Sequence, residues 1–362
     1  MRIAQVSPLE ESVPPKTYGG TERVVAYLTE ELVRQGHEVT LFASGDSCSS
    51  ARLVAACPQA LRSDATCQDR LALQLVQLKM LLDHMHEFDI VHFHIDYLHF
   101  PVMTQLDKAF LTTLHGRQDV RELQSLYTAY NRAPLVSISH AQRAPVPMAN
   151  WVGTVHHGLP PHLLTFEPRP GRYLAFLGRI SREKRVDRAI EIAKACRLPL
   201  RIAAKVDKND LRYFEEEVRP LLDHPLIEFV GEISQQAQNH FLGGALALLF
   251  PIDWPEPFGL VMIEAMACGT PVIAFRQGSV PEVLRHGING YVVNSIAEGV
   301  AAVRNISRIS RHRCREEFLN RFTAERMTRQ YVAIYEKLIA ETAHKMIIPF
   351  NSGVTSQTTH FF

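Results

Sequence analysis

The stretch Pro255-Glu-Pro-Phe-Gly-Leu-Val-Met-Ile-Glu-Ala-Met-Ala-Cys-Gly-Thr-Pro-Val-Ile273 decides how the rest of the chain is read. It follows an apolar run ending at Pro251 that reads as a strand. Pro257, Phe258 and Gly259 form a loop, and a helix is expected from about Leu260 to Ala267, closed by Gly269 before a strand that Pro271 opens. Glu256 then lies just ahead of the helix, and Glu264 projects from its second turn. The free N–H groups of a helix N-terminus, with the dipole behind them, favour phosphate. An ionised carboxylate only accepts hydrogen bonds, so two of them beside a phosphate site suit a ligand that also carries hydroxyls, as ribose and sugars do. Taken alone, the two glutamates could equally be solvated acids at a helix start.

A second element supplies cations. In Gly178-Arg-Ile-Ser-Arg-Glu-Lys184, Arg179 ends one expected strand and Lys184 opens the next helix. Two fixed cations at the carboxyl end of a strand can neutralise a diphosphate without a metal and stabilise it as it departs. The chain has no Asp-x-Asp pair. Surface charges on an amphipathic helix start are the bland alternative.

Around these elements strands and helices alternate. In the first half, strands are expected at 3–7, 39–43, 90–93, 110–114, 135–138 and 153–155, with helices from Thr21, a candidate cap, to Gly36 and near 69–85. The alternation breaks at Leu159-Pro160-Pro161 and restarts near Gly171. Further strands are expected at 173–178, 200–204, 227–230, 245–250 and 271–275, with helices at 185–196, 211–222, after Ser234 and at 260–267. The pattern is α/β: two doubly wound, Rossmann-like parallel-sheet units facing across a cleft, where ligands sit at strand carboxyl ends. The expected division is residues 1–158, a linker at 159–170, a second unit at 171–322, a helix near 323–343 and a loose tail at 345–362.

Bulk properties narrow the class. A chain of 362 residues with 46% apolar and 21% charged residues can bury two cores. Net charge is +1, which gives no reason to expect nucleic acid or an anionic membrane as partner. Six scattered cysteines without a Cys-x-x-Cys pair suggest neither a zinc ribbon nor a disulfide framework. The chain enters a strand at once and lacks an apolar run of membrane-spanning length, so no signal peptide is expected and a cytoplasmic site is. One local exception is the arginine run Arg308, Arg311, Arg313, Arg315, Arg321 and Arg326. It reads as a solvated helical face, with a patch for anionic lipid or an acidic acceptor as the alternative, and this leaves peripheral contact with the inner face of a membrane open.

The Glu-x7-Glu arrangement at Glu256 and Glu264, with Phe258-Gly259 between them, resembles the retaining glycosyltransferases of family 4, which have the GT-B fold. Gly178-Arg179 with Lys184, and Gly19-Gly20 after the first strand, fit the same family. The resemblance extends from Ile3 to about Leu338. It implies a metal- and cofactor-independent hexosyl transfer with retention, from a nucleotide-sugar (UDP-glucose first, GDP-mannose second) to a saccharide, a lipid-linked glycan or a small molecule. Donor binding falls to the second unit and acceptor binding to the first, with the C-terminal helix packing back on the first. By the same resemblance Arg179 and Lys184 hold the diphosphate, Glu264 the ribose and Glu256 the transferred sugar. The backbone at Phe258, Gly259 and Leu260 meets sugar and phosphate, and Gly19 and Gly20 let the first unit approach the diphosphate. His115, in Thr112-Thr-Leu-His-Gly116, would face the transferred sugar, making Glu256, His115, Arg179 and Lys184 the catalytic set. Tyr18, His94 and Asp96 are candidates for the acceptor side. The run His84, His86, His92, His94, Asp96 and His99 also admits a metal reading, which a plain strand and loop explains as well. Trp254 could stack on a sugar or pack its loop. Rival functions are a nucleotide-sugar epimerase, a non-catalytic nucleotide-sugar binder and a nicotinamide-dependent dehydrogenase, the last weakened by the missing Gly-x-Gly-x-x-Gly.

Overall fold

Apolar runs such as Ile3–Val6 and Leu248–Phe250 are buried on both faces, as strands of a parallel sheet covered by helices must be. The computed structural model describes residues 1–16 and 19–347, with side chains to 344. Two all-parallel sheets result. The first contains β1 (Arg2–Val6), β2 (Glu38–Ala43), β3 (Arg52–Ala55), β4 (Ile90–Phe93), β5 (Phe110–Thr113), β6 (Leu135–Ser137) and β7 (Trp151–Thr154), in the order β3-β2-β1-β4-β5-β6-β7. The second contains β8 (Tyr173–Arg179), β9 (Leu200–Lys205), β10 (Ile227–Gly231), β11 (Ala245–Phe250), β12 (Val272–Phe275) and β13 (Gly290–Val293), in the order β10-β9-β8-β11-β12-β13. Each sheet reverses direction of winding once, between β1 and β4 and between β8 and β11. Loops leaving the strands beside such a point diverge and open a crevice.

Helix Ala324–Ile347 returns from the second unit to the first sheet, where Tyr331 and Tyr335 are fully buried. A second tie is Glu282, whose carboxylate accepts from the main-chain N–H groups of His140 and Ala141 at 2.8 and 2.7 Å and meets His156 Nε2 at 3.1 Å. These partners hold its carboxyl below the usual range against the opposing effect of burial, which is the largest single influence on it.

Several expectations are corrected. β3 and β13 were not anticipated: β3 is a half-exposed edge strand of four residues in a polar stretch, and β13 is equally short. The first helix begins at Gly20 with Gly19 as N-cap and no side-chain cap, so Thr21 sits inside the first turn. The expected 211–222 helix passes through a π turn at Phe214–Val218. Pro220 supplies no N–H and crowds the preceding turn, which is the physical reason for a register shift there. The C-terminal helix runs on through 345–347, and the rest of the expected tail lies outside the described residues.

The arginine run is not one solvated face. Arg308, Arg313 and Arg326 are exposed, but the other three turn inward. Arg311 is buried and donates to the carbonyls of Glu167, Ala245 and Gly243 and to Thr270 Oγ1 at 2.7–2.9 Å. Arg315 donates to Ala267 O at 2.6 Å and Pro161 O at 2.7 Å, and Arg321 to Glu282 O at 2.5 Å and Val283 O at 3.1 Å. These guanidinium groups satisfy main-chain carbonyls of loops and strand starts (Pro161, Glu167, Ala245) and of helix ends (Gly243, Ala267, Glu282, Val283), and at the latter the dipole also favours a cation. No helix among the described residues is long and apolar enough to cross a membrane.

Candidate functional site

The crevice between the sheets encloses about 590 Å³. Its second-unit wall is built by the ends of β8, β9 and β11 and by the loop into helix Leu260–Ala267. That loop is pinned from behind. Ser279 N donates to Glu256 O at 2.9 Å and Ser279 Oγ to Phe258 O at 2.9 Å. A Cβ on Gly278 would lie 2.3 Å from Glu256 O, so the approach requires glycine. Gly259 turns the chain into the helix at φ 77° and caps it without a side-chain bond, leaving the first N–H groups of the helix directed at the crevice.

Charged groups converge on this terminus. Lys184 Nζ forms an ion pair with Glu256 Oε2, and Trp254 Nε1 donates to the same oxygen at 3.1 Å. The ammonium also lies 5.0 Å from the Trp254 ring centroid, which assigns the indole to packing this pair. Arg179 is shared among Glu183 at 3.1 Å, Asp210 at 3.5 Å and Asp207 at 3.6 Å. Glu264, fully enclosed, meets Arg23 Nη1 from the first unit at 3.1 Å. Desolvation raises its carboxyl, and Arg23 and Gln238 oppose that rise.

The first-unit wall differs in kind. Gly20 has open space: a Cβ there would find only Leu260 Cδ1, 4.0 Å away across the crevice. His115 reaches the crevice from the end of β5, stacked on His157 at 5.3 Å, and His157 in turn meets the Phe258 ring edge-on at 4.9 Å. Behind His115 runs a buried polar chain. Gln5 Nε2 donates to Tyr335 Oη at 3.1 Å, while Gln5 Oε1 accepts from His94 Nε2 at 2.9 Å. With the amide in this orientation His94 carries its proton on Nε2, so His94 Nδ1 accepts from His115 Nε2 at 2.8 Å. His115 Nδ1 is then a bare acceptor, buried and without a partner among the described residues. A parallel branch links Tyr335 Oη to His92 Nδ1 at 2.8 Å, His92 Nε2 to Thr113 Oγ1 at 2.7 Å and Thr113 Oγ1 to Tyr331 Oη at 3.0 Å. Burial holds His92 and His94 well below the ordinary histidine range and His115 down to about 3, so all three are neutral near pH 7.

Of the residues singled out in the sequence, Gly19, Gly20, Asp96, His115, Arg179, Lys184, Glu256, Phe258, Gly259, Leu260 and Glu264 all line the crevice. Tyr18 lies outside the described residues. His94, expected on the acceptor side, is instead enclosed behind His115, because its neutral ring fills the sheet's inner face between Gln5 and His115. Lys184 and Glu256, expected to hold different parts of a ligand, are paired with each other. The other histidines of the run do not converge: His99 stacks on Phe93 at 3.6 Å and bonds Thr112, and His84 pairs with Glu87. Among the described residues no group of three or more His, Cys, Asp or Glu is disposed to hold a metal ion. Glu22, Arg23, Lys205 and His157 also line the crevice and were not anticipated. Glu22 and Arg23 directly follow Gly20 and Thr21 in the first turn, a placement that could have flagged them; Lys205 and His157 carried no such signal.

Residues 18–150 match the family model described as Glycosyltransferase Family 4, and residues 166–322 the one described as Glycosyl transferases group 1. Over 102 residues the chain is 33% identical to the N-acetyl-alpha-D-glucosaminyl L-malate synthase of Bacillus anthracis, a match covering 26% of this chain and 27% of that enzyme. The chain spans less than half the length of this and of a second curated relative that it matches. Two solved structures share the fold. AviGT4, a glycosyltransferase involved in avilamycin A biosynthesis, superposes with TM-score 0.74 at 22% identity, covering 94% of this chain and 98% of its own. HepE of Anabaena, solved in complex with UDP and glucose, does so with TM-score 0.70 at 15% identity, covering 93% and 100%.

Proposed function

Because the chain belongs to glycosyltransferase family 4, with its two GT-B sheets matched by the family's two models, we propose that it transfers a hexose from a nucleotide-sugar to a hydroxyl acceptor. The transfer retains configuration and needs neither metal nor cofactor. UDP-glucose is the first choice of donor and GDP-mannose the second. The observation that carries this reading is the uncapped N-terminus of the Leu260 helix, flanked by Lys184, Glu256 and Glu264 and faced by Gly20.

The donor diphosphate lies between that terminus and Gly20, with Arg179 and Lys184 neutralising it. Lys184 exchanges Glu256 for phosphate oxygen, which frees Glu256 to accept from hydroxyls of the sugar. Glu264 takes the ribose, and the base lies by Glu232 and Ile233, which line the same wall. His115 Nδ1 accepts from a hydroxyl of the transferred hexose. The acceptor enters along the first unit, and its oxygen bonds to the anomeric carbon as the bond to the diphosphate breaks. The acceptor proton passes to the departing diphosphate oxygen. HepE's complex with UDP and glucose supports a uridine donor by fold analogy alone.

A thermal-shift screen tests the donor reading, using UDP, GDP and ADP and their hexose conjugates, with EDTA or magnesium. Stabilisation by one nucleotide series, undiminished by EDTA and lost in Glu264→Ala, is the expected result. No shift with any nucleotide overturns it.

A further inference from the structure

The first-unit wall carries Glu10, Glu11, Glu22 and Asp96 against Arg23 and Arg62. Both arginines are already held by carboxylates, Arg62 by Glu11 at 2.8 Å and Arg23 by Glu264 at 3.1 Å. Glu10 is held from outside the crevice by Arg70 at 2.7 Å. Neither Glu22 nor Asp96 forms a direct ion pair among the described residues, although the Arg62 charge also acts on Glu22. We propose that the acceptor is a polyol bearing neither phosphate nor carboxylate, oriented on this wall through hydroxyls donated to Glu22 and Asp96; this rests on the transferase reading above.

A phosphate or carboxylate acceptor gains a charge-assisted bond only by pulling an arginine from its glutamate. It also brings its own charge towards a wall of Glu10, Glu11, Asp96 and Glu22, the last raised by burial to about 7 and so only partly ionised near neutral pH. A hydroxyl meets no such opposition, because it donates and carboxylate oxygens accept. Glu22 is only 5% exposed yet lines the crevice, and its hydrogen-bond partners are main-chain groups, its own and that of Glu11. A buried carboxyl with acceptor capacity to spare is costly unless a ligand uses it. Asp96, by contrast, is exposed at the crevice mouth and held at φ 54°. For a non-glycine residue that is a strained backbone conformation, of the kind that persists where the surroundings impose it. The alternative is that Glu22 only stabilises the first turn of the Gly20 helix.

The experiment separates these. A detergent extract of the source cells is passed over an anion exchanger, and the flow-through and the salt-eluted pool are each offered with UDP-[14C]glucose, or with GDP-mannose if the donor screen selects it. Transfer of label with the flow-through pool is expected, with Glu22→Gln raising the half-saturating amount of that pool about tenfold while the donor KM and the donor-induced thermal shift stay unchanged. Transfer confined to the salt-eluted pool overturns the proposal. Donor hydrolysis to water with transfer to neither pool does so too, since the flow-through holds the cell's uncharged polyols. An unchanged response of Glu22→Gln to the flow-through pool would leave Glu22 a purely structural residue and remove it as an orienting group. Failure to cleave the donor under any condition falls instead on the transferase reading.

Discussion

The two walls of the crevice are made on different physical terms. The second-unit wall presents charges on loops and at helix starts: Lys184 with Glu256, and Arg179 among Glu183, Asp207 and Asp210. The first presents a neutral imidazole whose direction is set from behind by His94, Gln5 and Tyr335. Arg179 and its acids are partly exposed and can trade partners when a charged ligand arrives, because solvent keeps their pairing weak. The more enclosed Lys184 and Glu256 can part only if the ligand supplies a replacement charge. A buried imidazole has no such freedom, and its usefulness depends on which nitrogen carries the proton. One wall is adjustable and the other is preset.

The sharpest break comes from the adjustable side. Lys184→Ala leaves Glu256, itself only 8% exposed, without its counter-charge and, on the proposed donor site, removes one cation from the departing diphosphate. Loss of a preorganised charge partner of this kind lowers turnover by about 10²–10³-fold. Steady-state kinetics with the true acceptor, on protein of unchanged melting behaviour, checks it. A kcat within threefold of the parent would detach Lys184 from the diphosphate.

On the preset side, Gln5→Leu leaves His94 Nε2–H and Tyr335 Oη without their shared partner. Stability should fall by ~1–3 kcal/mol, the cost of orphaned buried polar groups. A merely structural loss would stop there. If the chain sets the tautomer of His115, the ¹⁵N shifts of its ring should also move from the Nε2–H pattern towards a mixture, and kcat should drop about tenfold. An unchanged His115 tautomer with lowered stability would reduce the chain to packing.

The same burial makes a pH signature. His115 is held near 3 by desolvation, against an ordinary value of about 6.5, so the folded state takes up its proton later than the unfolded chain does. The resulting stabilisation is complete above about pH 6.5 and is lost as pH falls towards 3, and His92 and His94 act in the same direction. Glu22 works the other way. Raised by desolvation to about 7, it favours the folded state below pH 4.5 and loses that contribution as pH climbs through 7. Melting temperatures should therefore rise from pH 4 to 6.5, each histidine concerned adding ~1.4 kcal/mol of stability per pH unit, and should rise no further above it. Glu22→Gln should add stability selectively at pH 8. A melting temperature flat between pH 4 and 6.5 would contradict the neutral buried histidines.

What could be read in advance follows the same division. Charged loop residues next to a helix start announce themselves by type and spacing, and Arg179, Lys184, Glu256 and Glu264 all reach the crevice. The long apolar runs marked their strands, with β4 and β11 at the bounds expected. What escaped was whatever depended on partners distant in sequence. Gln5 and Tyr335 meet across 330 residues, Arg23 and Glu264 across 241, and nothing local in either segment marks the meeting. For that reason His94 read as a crevice residue although it stands behind one. The arginines of the Arg311 helix misled for a related cause: their acceptors are main-chain carbonyls of other segments, which carry no residue signature.

The smallest effect concerns the two glycines where the walls face each other. They are adjacent but not equivalent. A Cβ on Gly19 would stand 2.7 Å from Pro15 Cβ and 3.2 Å from Glu22 Oε2, so Gly19→Ala must displace its own loop and should lower the melting temperature. A Cβ on Gly20 meets nothing of the protein closer than 4.0 Å. It intrudes only on space that a ligand would fill, and alanine is otherwise the better helix former at this first helical position. Gly20→Ala should thus leave the melting temperature unchanged or slightly higher and raise the donor KM about threefold to tenfold. Paired measurement of both variants carries the discrimination. If Gly20→Ala left the donor KM untouched, the diphosphate would lie against the second-unit wall alone, and the closest approach of the two walls would have no part in binding it.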